Sequence, residues 1–294
     1  MNRGWVNCGA ILGPNQRPTF LGQHSMRVDW LFFTVVQRTC IFLSLLTLVA
    51  HAQKPDDTGV EANPGRPTVS TPATLVPVGY LQFETGVLGA THSPEFSSRF
   101  GLNGVIKLSV ARRLELLAAA EPAVHYRAGG RKANGTGEVF LGMQAVLRRG
   151  EGARPTVAAS YFRRVYDGGV PELDLGAPRN SFLLLASADV RGFHYDVNAI
   201  FNELVENGVS RAQFGQTLSI SHPVSRRLTI SGELWHFTQP FLHSQAVGNL
   251  WALAYKARNN LVFDAGFNRG LTGTSTRWEV FVGFTYLVPR KLWR

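Results

Sequence analysis

Near its C-terminus the chain reads RWEVFVGFTYLV from Arg277 to Val288. Every second residue from Trp278 onward is large and apolar, whereas the residues between them include Glu279 and Thr285. Successive side chains of a β-strand point to opposite faces, so this stretch predicts a strand with one apolar and one mostly polar face. Such a strand can border a protein core or a lipid bilayer, and its recurrence along the chain favours the bilayer.

The same alternation recurs from Tyr80 to Val288 in segments of about ten residues that are separated by turn-forming clusters. These segments exceed the length of an average soluble strand, about five to six residues, and match the about 9–11 residues of a tilted transmembrane strand. The sequence predicts twelve strands: Val78–Leu88, Arg99–Val110, Leu114–His125, Thr136–Arg148, Thr156–Val165, Ser181–Val190, Phe193–Leu204, Arg211–His222, Leu228–Thr238, Ala246–Lys256, Leu261–Gly270 and Thr276–Val288.

The connections between the predicted strands alternate between long and short. The long set includes Tyr126–Gly135, Tyr166–Asn180 and Val205–Ser210, and the short set includes Arg191–Gly192 and Pro223–Arg227. Outer-membrane barrels produce this alternation because their extracellular loops are longer than their periplasmic turns. The sequence therefore predicts an all-β fold, an antiparallel up-and-down transmembrane β-barrel of about 12 strands.

The composition is that of a folded, exported protein. The chain is 45% hydrophobic and 17% charged, which argues against general disorder. Both cysteines, Cys8 and Cys40, lie in the N-terminal segment. We therefore expect a mature chain without disulfides and without thiol-based metal or redox sites, and we expect no cofactor and no bound metal.

The N-terminal segment has the pattern of a secretory signal peptide. Arg38 precedes an apolar run from Ile41 to Ala50, and small residues flank His51 up to Ala52. We predict that residues 1–52 form an N-terminal extension and signal peptide that is cleaved after Ala52. The alternative is an uncleaved anchor helix starting near Trp30, but that helix would place Arg38 in hydrocarbon.

Two further boundaries follow. Met26 opens a conventional signal peptide, so translation from Met1 and translation from Met26 are both consistent with the sequence. Residues 53–77 are rich in Pro, Thr, Asp and Gly, which predicts a flexible or extended periplasmic lead-in. Residues 78–294 then form the outer-membrane β-barrel.

The net charge is +10, but the basic residues are not gathered on one stripe. Several recur as pairs at predicted turns, namely Arg112-Arg113, Arg148-Arg149 and Arg226-Arg227. A nucleic-acid-binding protein concentrates such charges along a phosphate-binding surface. We therefore predict no nucleic-acid partner and interpret the pairs as turn residues near a charged membrane surface.

If the apolar residues of each strand face lipid, the residues that alternate with them line the lumen. Charged side chains are costly in hydrocarbon, about 2–4 kcal/mol for Arg or Lys at the midplane, and the pattern avoids this cost. The interior is either a structural network of paired charges or a polar path for solutes, and an excess of acids predicts weak cation preference in a channel. The lumen-lining candidates are Glu84, Lys107, Glu115, Glu138, Arg164, Asp189, Asp196, Glu233, Asp264, Asn268, Arg277 and Glu279.

Catalytic constellations are weak. A nucleophile–His–acid set needs the hydroxyl to reach the imidazole. Ser231 and His236 are separated by an odd number of positions, so on one strand they point to opposite faces. His194 and Asp196 share a face but do not form a metal-binding set. We predict no catalytic residues and no enzyme activity; the alternative is an outer-membrane esterase or lipase whose site is assembled across strands.

Three stretches resemble the MetA-pathway phenol-degradation family of outer-membrane barrels. They are the opening Asn63–Pro67 to Ser70–Pro72 followed by Val76–Gly86, the penultimate strand Leu261–Leu271, and the closing Val282–Tyr286. The closing stretch is also similar to the C-terminal signal read by the barrel-assembly machinery, although this chain continues through residues 289–294. The resemblance implies an outer-membrane barrel that passively takes up small, including aromatic, compounds.

The leading hypothesis is an outer-membrane barrel that acts as a passive channel or transporter for small solutes, with aromatic or hydrophobic compounds among them. Its partners would be the lipid bilayer, a small-molecule solute and the barrel-assembly machinery. The second hypothesis is a non-conducting structural or adhesion barrel, since inward side chains could fill the lumen of a twelve-stranded barrel. The third is a soluble secreted β-sandwich, which has no reason to alternate its loop lengths.

Overall fold

The computed structural model describes residues 59–171, 173, 178–206 and 208–293. The predicted extension and signal peptide, residues 1–52, lie outside the described residues, as does the start of the predicted lead-in. Within the described ranges, no helix has both the length and the apolar character needed to cross a membrane.

Thirteen β-strands are found in these ranges. Each is long enough to match a tilted membrane span except β4, which is short and pairs only with β3. The strands are β1 Leu81–Thr91, β2 Ser98–Ala111, β3 Leu114–Ala128, β4 Arg131–Gly135, β5 Val139–Arg148, β6 Thr156–Tyr166, β7 Asn180–Val190, β8 Phe193–Glu206, β9 Val209–Pro223, β10 Leu228–Gln239, β11 Ser244–Arg258, β12 Leu261–Gly270 and β13 Trp278–Leu287.

Twelve of these strands close into a cylinder in which each strand pairs antiparallel with its sequence neighbours. The first strand closes the cylinder by pairing with the last, for example Gln82 with Leu287 and Thr91 with Trp278. On its other edge β1 pairs with β2, and β2 pairs in turn with β3. Closure leaves no open edge, which satisfies the backbone amides of a barrel in lipid. The predicted twelve-stranded antiparallel barrel is confirmed.

The two faces of the barrel wall differ as the sequence predicts. In β13, Glu279 and Thr285 are buried inside the barrel, while Trp278 and Val280 are exposed on its outer surface. Other outward positions are also large and apolar, such as Leu234 and Trp251. A soluble protein rarely exposes a continuous apolar surface of this kind, whereas a barrel in a bilayer requires it.

The connections do not alternate strictly in length. The predicted loop Val205–Ser210 is instead the tip of a hairpin, because β8 runs to Glu206 and β9 begins at Val209. The predicted loop Tyr126–Gly135 is largely replaced in the same way by the end of β3 and by β4. Hairpin strands satisfy each other's backbone groups beyond the barrel wall, so they need no irregular loop.

The first strand begins at Leu81 and not at the predicted Val78. Gly79 has a positive φ of 84°, and the Tyr80 amide donates to the Pro77 carbonyl over 3.1 Å, so a turn precedes the strand. A left-handed conformation suits glycine, which has no Cβ. This turn lies at the same end of the barrel as the short turns at residues 112–113, 191–192 and 259–260. We call it the periplasmic end, since short turns and chain termini lie there in bacterial barrels.

Candidate functional site

The lumen contains part of the chain itself. Residues 62–76, called here the lumen segment, contact inward side chains of most barrel strands. The Ala62 amide donates to the Asn259 carbonyl at the periplasmic turn between β11 and β12, over 2.8 Å. The Val76 amide donates over 2.8 Å to Glu115, near the periplasmic end of β3. The segment therefore enters and leaves through the same end of the barrel.

This placement corrects the predicted lead-in. The sequence predicts that residues 53–77 lie outside the barrel in the periplasm, whereas residues 62–76 lie within it. A segment with many Pro and Thr residues forms no ladder of its own, so its amides need partners elsewhere. The lumen provides these partners as buried carboxylate, amide and hydroxyl groups.

Arg66 is the charged residue of the lumen segment and contacts the wall formed by β12, β13, β1 and β2. Its guanidinium donates to the Asp264 carboxylate over 3.1–3.2 Å and to Asn103 Oδ1 over 3.0 Å. A Cβ at Gly86 or Gly283 would approach this guanidinium to 2.6–2.8 Å. The two glycines therefore leave the space that the guanidinium occupies against the wall.

Glu233 holds the middle of the lumen segment. Its carboxylate accepts hydrogen bonds from the Val69 amide over 2.7 Å, from the Ser70 amide over 2.6 Å and from the Ser70 hydroxyl over 2.5 Å. The same hydroxyl lies 2.8 Å from the Thr217 hydroxyl on β9. Charge-assisted bonds of this kind are roughly twice as strong as neutral ones.

Neutral groups hold the next residues against the opposite wall. Asn198 exchanges two hydrogen bonds with the backbone of Thr71, over 2.6 and 2.9 Å. Gln144 donates to the Pro72 carbonyl over 3.0 Å, and the Ala73 amide donates to the Ser187 hydroxyl over 2.7 Å. These hydrogen bonds are made to backbone groups of the segment and not to its side chains, so they fix the path of the segment.

Two acids near the periplasmic end complete the set. Glu84 accepts from the Gly65 amide over 3.0 Å and forms an ion pair with Lys107 over 2.6 Å. Glu115 accepts from the Val76 amide and from the Ser109 hydroxyl, over 2.8 and 2.9 Å. The excess of acids over bases inside the barrel is therefore matched in part by amide donors of the lumen segment.

The lumen is closed at the height of this segment. Gln82, Gln144 and Asn198 come from the well-separated strands β1, β5 and β8 and point inward, and each is at most 1% exposed. An open water-filled pore would leave such side chains accessible. The described state is therefore a barrel whose interior is packed.

One sector of the lumen is apolar, which the sequence did not predict. Leu183, Leu185 and Ile200 point inward and form a buried cluster with Ala73 of the lumen segment. Trp235 belongs to the same cluster, and its indole Nε1 donates to Asn268 over 2.8 Å. The sequence does indicate their direction, because each of these residues lies an even number of positions from a polar lumen residue on the same strand and therefore points to the same face.

The predicted lumen residues fall into two groups. Glu138 and Arg164 are only partly buried, Asp189 is exposed beside His194 at the periplasmic end, and Arg277 is exposed and precedes β13. The remaining eight candidates are buried within the barrel: Glu84, Lys107, Glu115, Asp196, Glu233, Asp264, Asn268 and Glu279.

A cavity of about 510 Å³ opens at the periplasmic end beside the lumen segment. It is lined by residues 74–78 and, among others, by Arg112 and Arg149 of the periplasmic connections. At the other end, which we call the outer end, a cavity of about 410 Å³ is lined by Arg163, Arg164 and Arg179 among others. The packed middle of the barrel lies between these two ends.

Comparison with protein-family models and with curated proteins finds no match. Comparison with solved structures finds barrels of the outer membrane. The COG4313 outer membrane channel from Pseudomonas putida F1 has a TM-score of 0.54 and 14% identity, over 78% of this chain and 100% of that chain. The NanC porin (TM-score 0.49, 7% identity) and the KdgM porin (0.45, 14%) are aligned over 70% of this chain and 98% of theirs.

At 14% identity, the similarity to the COG4313 channel establishes the fold alone. The two porins, with TM-scores of 0.49 and 0.45, are too dissimilar to establish more than that. Together with the closed cylinder and its apolar outer surface, the first comparison defines the class of protein. The fold is that of an outer-membrane β-barrel.

Proposed function

We propose that this protein is an outer-membrane channel for small solutes whose lumen segment closes the path in the described state. The observation that carries the proposal is the way the segment is held. It lies across the lumen on hydrogen bonds to inward side chains, such as Glu233 and Asn198, and adds no strand to the barrel. Its removal would leave the cylinder closed and the lumen open.

The path of the segment supports a reversible closure. Both of its ends emerge at the periplasmic end, so it can leave without opening the barrel wall. Each hydrogen bond adds only about 0.5–1.5 kcal/mol net, or about 1.5–3 kcal/mol where one partner is charged, because water replaces it on release. Withdrawal therefore breaks no covalent or strand-pairing interaction.

The mixed character of the lumen supports small amphipathic solutes as cargo. The lumen carries apolar clusters around Leu185 and around Phe281 together with charged residues such as Asp264. A compound with an aromatic or aliphatic body and a polar substituent fits such an interior. The resemblance to the MetA-pathway phenol-degradation family agrees with this solute class, and we propose membership of that family as well.

We further propose that the protein reaches the outer membrane through a signal peptide cleaved after Ala52 and that the barrel-assembly machinery inserts it. A heat-modifiability gel of the membrane fraction tests residence in the outer membrane. A non-enzymatic role is supported by β10, because Ser231 is buried inside the barrel and His236 lies on the outward parity. The hydroxyl and the imidazole are thus on opposite sides of the wall.

A disulfide between the lumen segment and the wall tests the closure. Ser70 and Thr217 have their hydroxyl oxygens 2.8 Å apart, so S70C/T217C places two sulfur atoms within bonding reach after a small adjustment. The predicted mature chain has no competing cysteine. In planar bilayers we expect low conductance under oxidising conditions and larger, fluctuating conductance after reduction.

The single variants S70C and T217C control for loss of the native hydroxyls and should not respond to the oxidant. Equal conductance of the oxidised and reduced double variant would show that solutes do not pass where the segment lies. Absence of conductance in both states would favour the non-conducting structural barrel.

A further inference from the structure

The periplasmic rim of the barrel is strongly basic. It carries four pairs of cationic residues that are consecutive in sequence, and all eight residues are exposed: Arg112-Arg113, Arg148-Arg149, Arg226-Arg227 and Arg290-Lys291. The first three pairs flank the β2–β3, β5–β6 and β9–β10 connections, and the fourth follows β13. Because alternate connections of an antiparallel barrel meet at one end, the pairs are distributed around the whole circumference.

Acidic partners are scarce on this rim. Among the described residues its exposed carboxylates are those of Glu61, Glu151 and Asp189. Glu61 pairs with Lys256, and Asp189 pairs with His194. Within the same part of the chain, no ion pair involves any of the eight rim cations. Their charge is therefore available to an anionic partner.

Apolar side chains adjoin these cations. Leu147 precedes Arg148 and is 56% exposed, Val224 lies two residues before Arg226 and is 50% exposed, and Leu292 follows Lys291 and is 51% exposed. Side chains of Lys and Arg extend from such apolar positions toward the polar surface of a bilayer. The last pair is held in place, since the Leu292 amide donates to the Gly79 carbonyl over 2.8 Å.

We propose that the periplasmic rim binds the phosphate headgroups of anionic glycerophospholipids in the inner leaflet of the outer membrane. The distribution of the cations carries this assignment. A protein partner would contact a single patch of the rim. Lipids surround the barrel and therefore contact the rim along its whole circumference. Each cation close to an anionic surface strengthens the attraction.

Lipid retention by the purified full chain tests the proposal. The protein in a neutral detergent is titrated with phosphatidylglycerol or with phosphatidylcholine of the same acyl chains, and bound lipids are counted by native mass spectrometry. We expect preferential retention of phosphatidylglycerol that weakens with salt. The preference should fall at least about fivefold in R226Q/R227Q and in R290Q/K291Q, with a smaller loss for either single change.

A matched variant at the opposite end of the barrel is the control. R131Q/K132Q also neutralises an exposed, adjacent pair, in β4 at the outer end, and should retain the preference. Heat modifiability verifies that each variant is a folded barrel. Equal retention of both lipids, or an equal loss in the control variant, would overturn the proposal, as would salt-sensitive capture of an acidic periplasmic protein without lipid preference. The outcome is independent of channel conductance.

Discussion

At the scale of single residues, Glu233 shows why the interior is acidic. An acid on the inward parity of a strand suggests a cross-lumen ion pair or a site for a cation. In the structure its carboxylate instead binds the backbone of Val69 and the backbone and hydroxyl of Ser70. Glu61, by contrast, forms an exposed pair with Lys256, and such surface pairs contribute only about 0–1 kcal/mol.

Replacing Glu233 should loosen the lumen segment. E233A removes an acceptor of three hydrogen bonds and leaves two amides of the segment without their charged partner. Because one such bond contributes about 1.5–3 kcal/mol, we expect the open probability in planar bilayers to rise about tenfold or more. E233Q retains one acceptor oxygen and should give an intermediate rise.

The control for this prediction is E61Q, which neutralises an exposed carboxylate and should leave the open probability nearly unchanged. If E233A and E61Q behave alike while both remain heat-modifiable barrels, Glu233 does not hold the segment in the membrane-inserted protein.

At the scale of elements, small residues on one strand accommodate large side chains of its neighbour. A Cβ at Gly248 on β11 would lie 2.2 Å from the Trp235 ring, and a Cβ at Gly215 on β9 would lie 2.3 Å from the Phe237 ring. These glycines let two aromatic rings of β10 lie against the inner wall. The apolar sector therefore depends on paired choices on adjacent strands.

Adding one methyl group at Gly248 should disrupt this sector. G248A forces the Trp235 ring away from the wall, and such overpacking typically costs about 1–3 kcal/mol. We expect a lower midpoint of urea unfolding in liposomes together with a changed tryptophan emission spectrum. G89A is the matched control, because a Cβ there would meet Phe100 at an ordinary 3.8 Å. Equal midpoints for the two variants would contradict the proposed packing.

The strands themselves follow from local sequence, whereas the packing of Trp235 does not. Alternation of apolar and polar residues predicts each strand, since side-chain direction in a strand has a fixed period of two. The same alternation assigns Trp235 and Leu185 to the inward parity, but their apolar character gives no reason to expect them in a polar lumen. Their neighbours come from other strands, so the cluster appears only after closure.

At the scale of the whole molecule, the barrel is a closed wall that contains part of its own chain. The acids that hold the lumen segment would line the lumen once the segment leaves. Glu84, Glu115 and Asp264 are each less than 5% exposed in the described state. Rings of carboxylates favour cations in channels, so ion selectivity should depend on the position of the segment.

A chain lacking residues 62–76 should therefore form an open pore with weak cation preference, seen as a shift of the reversal potential in a potassium chloride gradient. Adding E84Q/E115Q/D264N to this chain should reduce the shift toward zero, because the acceptors no longer carry charge. E151Q/E206Q neutralises two exposed acids instead and should preserve the shift. Anion preference in the open chain would contradict this account.

The sequence by itself determined the all-β class, the twelve membrane strands and the face that each strand turns outward. These properties depend on local alternation, which can be read from neighbouring residues. Only the tertiary structure decided that residues 62–76 lie inside the barrel. Their partners are far away along the chain, as Arg66 and Asp264 are, and an irregular segment carries no periodic pattern that would identify them. The closed cylinder brings those groups together, and burial then makes every unpaired amide costly enough to fix the path of the segment.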